Sequence, residues 1–289
     1  GPFFLHRLYA VWGRDARAWA RRLVPLLCAA ALLTFHPLWS GYGAFVRGAT
    51  AAQADRKAHW DFITQWSWPP EETIDFIAPG FMGWRSGEPE GPYWGRMGRS
   101  GDWEAAGRGL RNFKLENQYL GALPLALAFA AIALARRREG GGDTRGGTRG
   151  EILFWAALSL VTLLLAFGKF TPLYRLVFRL PALASVRAPV KWLQPFQLAV
   201  GILAAYAADR LWPWASGAAP ARPPRRVAFG LLVGAVILGL VALGLFAGRA
   251  TAAARLAAEG WGALGGVIAR NRAVAALHGA ALAGVAGLL

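Results

Sequence analysis

The 289-residue sequence has little of what soluble enzymes use to build polar sites. Cys28 is its single cysteine, which excludes an intrachain disulfide and a cysteine metal cluster. Its four histidines include no pair spaced as metal ligands. No phosphate-binding loop, dinucleotide fingerprint or Ser/His/Asp arrangement is present. The scarcity of acids is also marked: sixteen Asp and Glu stand against thirty-two Lys and Arg, a net charge of +16.

Apolar residues dominate instead. The chain is 55% hydrophobic and 17% charged, and it contains several apolar runs near 20 residues. A bilayer core needs about 20 apolar helical residues per crossing. The basic residues sit in short clusters beside these runs, as in membrane proteins, so nucleic acid is not expected as a partner. The sequence predicts an all-α integral membrane protein with about six transmembrane helices, a large extracytoplasmic loop containing short helices, and membrane lipids as partners.

The apolar runs and basic clusters also predict the order of segments along the chain. With six crossings, the basic clusters at 7–22, 136–149 and 222–226 share one side, which should be the cytoplasm. The predicted segments are a cytoplasmic interfacial helix at 1–22, a first crossing at 23–39, an extracytoplasmic loop at 40–118, a second crossing at 119–135, a cytoplasmic linker at 136–151, a third crossing at 152–168, an extracytoplasmic basic loop at 169–191, a fourth crossing at 192–212, a cytoplasmic loop at 213–226, a fifth crossing at 227–247, an extracytoplasmic interfacial helix at 248–272, and a sixth, truncated crossing at 273–289.

The 169–191 segment places cations on the side of the membrane where cations are disfavoured. It has no acid, and its five cations are Lys169, Arg175, Arg179, Arg187 and Lys191. Pro172 and Pro181 suit the start and the end of a short helix. Because guanidinium groups bind phosphates bidentately, the segment is a candidate clamp for an anionic lipid head group, such as a lipid-linked phosphate sugar. Ordinary contact with phospholipid head groups is the alternative, and the sequence leaves both open.

A second candidate lies in the long loop, in the stretch WSWPPEETIDF at 66–76. Ser67 or Trp68 could cap a helix, the two prolines suit its first turn, and Glu71 and Glu72 favour its positive end. The stretch therefore reads first as a helix start. The functional alternative is that an acid here serves as a general base or binds a sugar hydroxyl or metal. The weak candidates for that catalytic role are Glu71, Glu72, Asp75 and the neighbouring Asp61.

Aromatic residues of the same loop have two interpretations. Trp68, Tyr93 and Trp94 could form a platform for a sugar ring. Trp and Tyr are also the ordinary belt residues at a membrane surface. The sequence does not decide between these interpretations.

The motifs together resemble a known family. QWSWPPEETIDFIAPGFMG, PYWG, YLGALPLALA and LPALASVRAPVKW, followed by a span ending in AADRL, resemble the YfhO-type bacterial membrane proteins of the C-type glycosyltransferase superfamily. The likeness covers about residues 60–212. Its most specific element is RAPVKW, where the family shows Arg-x-Pro-x-Arg/Lys, here Arg187, Pro189 and Lys191.

The resemblance implies a polytopic enzyme of the bacterial plasma membrane. It would transfer a sugar from a polyprenyl-phosphate donor to a cell-envelope acceptor on the outer face. The family's acid lies in an earlier outer loop, so we expect the present chain to be the middle of a longer protein that holds the acid elsewhere. No metal site is expected among these residues, and any divalent cation would be held by residues outside this stretch. A transporter or flippase of a lipid-linked precursor, or a non-catalytic membrane scaffold, are the alternatives.

Overall fold

A computed structural model describes residues 24, 25, 28, 56–135, 149–179, 187–215 and 225–288. Contacts divide the chain into a unit Gly1–Trp60 and a unit Asp61–Leu289. The predicted interfacial helix 1–22 and nearly all of the first crossing lie outside the described residues. So do most of the linker 136–151, residues 180–186 with Pro181, and much of the loop 213–226.

The described residues are all-α, as predicted, and contain no β-strand beyond one isolated bridge between Arg85 and Pro92. The α-helices are α1 Arg56–Thr64, α2 Trp103–Ala106, α3 Ala122–Ala135, α4 Arg149–Ala166, α5 Pro172–Phe178, α6 Leu193–Ala215, α7 Arg225–Ala247, α8 Arg249–Leu256 and α9 Leu264–Leu288. Short 3₁₀ turns occupy Pro70–Phe76, Gly168–Phe170 and Pro189–Trp192, and a π turn occupies Ala257–Trp261.

The long helices pack in two groups that share α3. Helix α6 lies against α3 and α4, whereas α9 lies against α7 and α8, and α3 also touches α7 and α9. Alanine lines much of these contacts: Ala128, Ala131 and Ala135 of α3 are each 5% exposed or less. Small side chains let helix backbones approach closely, which is how helices associate where lipid surrounds them.

The loop between α1 and α3 folds onto this bundle through an aromatic core. Trp68 stacks on Phe76 with ring centroids 5.8 Å apart, and Phe76 packs on Phe196 of α6 at 5.4 Å. On the other group, Gly279 of α9 lies so close to the loop that an added Cβ would be 2.8 Å from the carbonyl of Ile77. The loop is therefore a folded part of the protein that rests on helices from both groups.

Two described helices, α4 and α7, are long and apolar enough to cross a membrane. The apolar part of α7 is Ala228–Ala247, and most of its surface is not covered by protein. Phe229, for example, is 67% exposed and Leu243 is 66% exposed. Helix α3 is apolar but has 14 residues, or about 21 Å at 1.5 Å per residue. These features indicate membrane association and supply two candidates for the six predicted crossings.

The last third of the chain differs from the predicted boundaries. One interfacial helix was expected over 248–272, but α8 ends at Leu256 and a π turn follows. Gly260 and Gly262, with φ of +91° and +52°, interrupt the helical geometry there, and α9 begins at Leu264. The sequence predicts a start of the sixth helix at 273, because the residues from there on are apolar and the residues just before are polar. The glycines set the actual boundary.

Candidate functional site

A group of fully buried charges forms the centre of the loop. The side chains of Glu72, Asp75 and Lys114 are each 0% exposed. Lys114 Nζ donates to Asp75 Oδ2 at 2.6 Å and lies 3.9 Å from Glu72 Oε2. It also lies 5.2 Å from the Trp68 ring centroid and 5.1 Å from that of Tyr93. One buried cation therefore lies next to two carboxyl groups and against two aromatic rings.

The second carboxyl group, Glu72, is held by neutral donors. Its Oε1 accepts hydrogen bonds from the hydroxyl of Tyr93 at 2.5 Å and from the backbone N–H of Arg96 at 3.2 Å. Its Oε2 is buried without a hydrogen-bond partner. Burial raises the pKa of Glu72 to about 7, although Lys114 and the hydrogen bonds favour the charged form. Glu72 thus keeps its proton up to near-neutral pH while Lys114 pairs with Asp75.

A helical turn begins at Pro70 as predicted, but the residues before Pro70 do not cap it with their side chains. The 3₁₀ turn Pro70–Phe76 has Pro69 at its cap and no side-chain capping bond. The Ser67 hydroxyl donates to the Thr64 carbonyl at 2.6 Å and accepts from the Lys169 N–H at 3.0 Å. Capping by Ser67 or Trp68 was therefore a wrong prediction, since the Ser67 hydroxyl ties this stretch to the 169–191 segment instead.

The remaining candidate acids lie at the surface. Glu71 pairs with Arg96 through both carboxylate oxygens. Although partial burial favours its neutral form, the bond and charge of Arg96 hold the pKa of Glu71 below its ordinary value. Asp61 is exposed on α1 beside Gly101. None of the four candidate acids reaches the cavity described next.

The RAPVKW motif forms a tight turn joined to the loop by backbone bonds. The Ala188 N–H donates to the Ile63 carbonyl at 3.0 Å, and the Val190 N–H donates to the Trp66 carbonyl at 2.9 Å. Ala188 has φ of +67°, the one non-glycine residue in the described part of the chain with a left-handed backbone. Such strained residues cluster at functional sites, because the surrounding structure must hold them in place.

A cavity of about 560 Å³ opens beside this turn. Arg187 and Lys191 are exposed at it, and neither forms an ion pair with any described residue. The indole Nε1 of Trp68, a wall residue, is buried without a hydrogen-bond partner. The other lining residues are Trp66, Met97, Phe113, Leu115, Glu116, Gln118, Ala188, Val190, Leu193, Gln194 and Gln197. The size suits a small-molecule site, with aromatic walls and a few polar groups.

The structure brings together some of the predicted phosphate-binding residues and not others. Arg187 and Lys191 share the cavity, whereas Lys169, Arg175 and Arg179 do not line it. The short helix predicted to start at Pro172 is present as α5, and Arg175 is exposed on this helix. Arg187 is oriented by stacking, with its guanidinium carbon 4.2 Å from the Phe62 ring centroid.

The three aromatic candidates for a sugar platform separate in the structure. Trp68 is a wall of the cavity. Tyr93 is 1% exposed, and its hydroxyl is used by Glu72 and by the N–H of Met97 at 2.6 Å. Trp94 lies at a second cavity, against α8 and α9.

Sequence reasoning missed two features of the site. Lys114 gave no signal, because it stands in a polar stretch, RNFKLENQ, that reads as surface. Gln118 and Gln197, joined by a 2.6 Å hydrogen bond, lie in the cavity wall. For Gln197 and its neighbour Gln194, the signal was available, since amides in the first turns of an apolar helix need polar partners.

The buried proton of Glu72 predicts an unusual pH dependence of stability. Its pKa rises from 4.5 unfolded to about 7 folded, so the folded state holds more protons between these values. The stabilisation is complete below pH 4.5 and is lost as pH rises through 7, an effect on the order of 3 kcal/mol. We expect thermal unfolding in detergent to occur at lower temperature at pH 8 than at pH 5.5. Glu72→Gln should flatten that dependence, and Glu71→Gln should leave it intact. An equal dependence in both variants would contradict the assignment.

Comparisons of the chain with protein-family models, with curated proteins and with solved structures find no match.

Proposed function

We propose that this chain is the central part of a YfhO-type membrane glycosyltransferase. It would move a sugar from a polyprenyl-phosphate donor to a cell-envelope acceptor on the outer face of the bacterial plasma membrane. The observation that carries the proposal is the cavity at the RAPVKW turn, where Arg187 and Lys191 have no carboxylate partner among the described residues. The lining holds these two cations against one acid, Glu116, and this excess of positive charge beside aromatic walls suits a phosphate attached to an apolar chain.

The proposed topology has six crossings with the N-terminus of the chain in the cytoplasm. Helices α4 and α7 support it by length and composition, and α6 and α9, with 23 and 25 residues, exceed the roughly 20 residues that a crossing requires. The loop between α1 and α3 and the RAPVKW turn then lie on the same outer side. Such a placement puts the cavity where a lipid-linked sugar presents its phosphate.

The proposed roles follow from charge. As the bond between sugar and phosphate breaks, negative charge grows on the leaving phosphate, and Arg187 and Lys191 would stabilise it. A carboxylate outside this stretch would accept the proton of the acceptor hydroxyl as the hydroxyl oxygen forms its bond to the anomeric carbon of the sugar. No group of three or more His, Cys, Asp or Glu suited to a metal occurs in the described part of the chain. A divalent cation, where the reaction uses one, would be bound by other residues.

The test is sugar transfer by the full-length protein carrying Arg187→Gln with Lys191→Gln. We expect transfer to fall by about 100-fold or more, because each charge-assisted hydrogen bond contributes about 1.5–3 kcal/mol. The control is Arg175→Gln with Arg179→Gln, which removes the same charge from residues that do not line the cavity. Membrane insertion should be unchanged in both.

Three results would contradict this function. Unchanged transfer in the Arg187 and Lys191 variant would remove these residues from the reaction. Lipid movement across vesicles without sugar transfer would identify a flippase. Co-purification with a partner enzyme, together with tolerance of every loop-charge substitution, would identify a scaffold.

A further inference from the structure

A second cavity, of about 660 Å³, lies between the loop and the last two helices. We call it the Arg272 cavity; its lining residues are Trp94, Gly248, Thr251, Ala252, Arg255, Leu256, Glu259 and Arg272. It shares no lining residue with the cavity at the RAPVKW turn. Nothing in the proposed glycosyl transfer uses it.

The cavity is held open by bonds between distant parts of the chain. Arg111 of the loop stacks on Trp261 at 4.1 Å and donates from Nη2 to the Glu259 carbonyl at 2.9 Å. Asn271 of α9 donates from Nδ2 to the Glu90 carbonyl at 2.6 Å. These contacts fix the loop against the π turn and against α9, at Glu259 and next to Arg272 of the cavity lining. The space is therefore a formed feature of the fold and not a gap between loosely packed segments.

Arg272 lacks an anionic partner. Its guanidinium carbon lies 4.7 Å from the Trp94 ring centroid and 5.4 Å from that of Phe81. Its Nε is buried without a hydrogen-bond partner, and no described residue forms an ion pair with it. A buried, unsatisfied guanidinium donor is costly unless an acceptor from outside the protein satisfies it. Cation–π contacts with two rings hold the guanidinium group at the cavity wall.

The surrounding groups suit an oxygen anion that carries an apolar part. Arg255 and Glu259 pair with each other at 3.1 Å, so the two arginines and one glutamate of the lining leave a net charge of +1. The Thr251 hydroxyl adds a donor, and Trp94 and Leu256 add apolar surface that continues into a packed cluster with Ile268. A single phosphodiester has the charge and oxygen geometry for this set.

The position along α7 identifies where such a group would come from. The apolar part of α7 ends at Ala247, and the cavity begins at the next residue, Gly248. A residue just past the apolar part of a membrane-crossing helix lies at the depth of lipid head groups. We propose that the Arg272 cavity binds the phosphate group of an anionic phospholipid, with Arg272 as the principal ligand and Arg255 and Thr251 as supporting donors. The lipid source rests on α7 crossing the membrane, as in the proposed topology.

The test is native mass spectrometry of the full chain in detergent with three probes: short-chain phosphatidylglycerol, diacylglycerol of the same chain length, and inorganic phosphate. We expect one phosphatidylglycerol site whose affinity falls about tenfold or more in Arg272→Gln, because a charge-assisted hydrogen bond is lost. Arg270→Gln is the matched control, since this exposed residue lies on the same helix and does not line the cavity. Arg255→Gln, at an exposed position, should weaken binding without affecting folding.

The outcomes separate the possible sources. Arg272-dependent binding of phosphatidylglycerol, with weak binding of inorganic phosphate, supports a lipid head group. Equally tight, Arg272-dependent binding of inorganic phosphate overturns the lipid source and leaves a free-phosphate site. Equal binding by the Arg272→Gln and Arg270→Gln variants, or equal binding of diacylglycerol, overturns the site altogether. Because the readout is binding at Arg272, its failure is distinct from failure of sugar transfer through Arg187 and Lys191.

Discussion

Replacing Lys114 by Met is expected to lower the free energy of unfolding by about 3–5 kcal/mol. The variant keeps the length of the side chain and removes the cation that lies 2.6 Å from Asp75 Oδ2. Both partners are 0% exposed, so water cannot solvate the Asp75 carboxylate once the cation is gone. An uncompensated buried carboxylate must then take up a proton or disrupt the loop. Thermal unfolding of the detergent-solubilised protein measures the effect.

Two variants serve as controls for the Lys114 result. Arg85→Met breaks the exposed ion pair with Glu88 in the same loop and should cost less than about 1 kcal/mol. Adding Asp75→Asn to Lys114→Met removes the stranded charge while an oxygen still accepts from the Met82 N–H, so part of the stability should return. A Lys114→Met variant as stable as Arg85→Met would show that the buried charges do not organise the loop.

Gly168→Ala is expected to destabilise the protein by about 2–4 kcal/mol, because overpacking adds to backbone strain. Gly168 has φ of +50°, and an added Cβ would lie 2.1 Å from Ser67 Oγ and 2.7 Å from Pro189 Cγ. The clash falls where the end of α4, the loop and the RAPVKW turn meet. The variant should be less stable, and its cavity should be distorted. Thermal unfolding measures the first effect, and ligand titration measures the second.

Gly87→Ala separates strain from crowding. Gly87 also has a positive φ, +80°, but an added Cβ would meet nothing within 4 Å. Its substitution should cost only the strain, on the order of 1 kcal/mol. Equal losses in Gly168→Ala and Gly87→Ala would mean that the contact among the three segments is not tight.

The helices were largely predictable because their signals are local. Apolar runs, and Pro172 at the start of α5, predicted helices that the structure contains. The pairing of those helices was not predictable, since alanine-rich faces such as that of α3 carry almost no periodicity of polarity. The break at Gly260 was missed because glycine also occurs inside the apolar helices, where it breaks nothing.

The site was predictable in part. A row of cations, on the side of the membrane where the predicted topology disfavours them, marked 169–191 as a candidate site, and the structure brings Arg187 and Lys191 of that row to one cavity. The roles of Glu72 and Lys114 could not be read from sequence, because they are 42 positions apart and their proximity depends on how the loop folds. Acids beside a helix start look alike whether they face water, as Glu71 does, or the core.

Titration of the purified chain with a short-chain isoprenyl phosphate tests the central claim most directly. The account predicts binding that weakens by about 100-fold or more in Arg187→Gln with Lys191→Gln. Arg175→Gln with Arg179→Gln, of the same charge, should bind within about threefold of the unmodified chain, since screened surface charges contribute little. The matching isoprenyl alcohol should bind weakly to all three proteins. Equal binding by the two double variants, or binding of the alcohol as tight as that of the phosphate, would contradict the claim that this cavity recognises a lipid-linked phosphate.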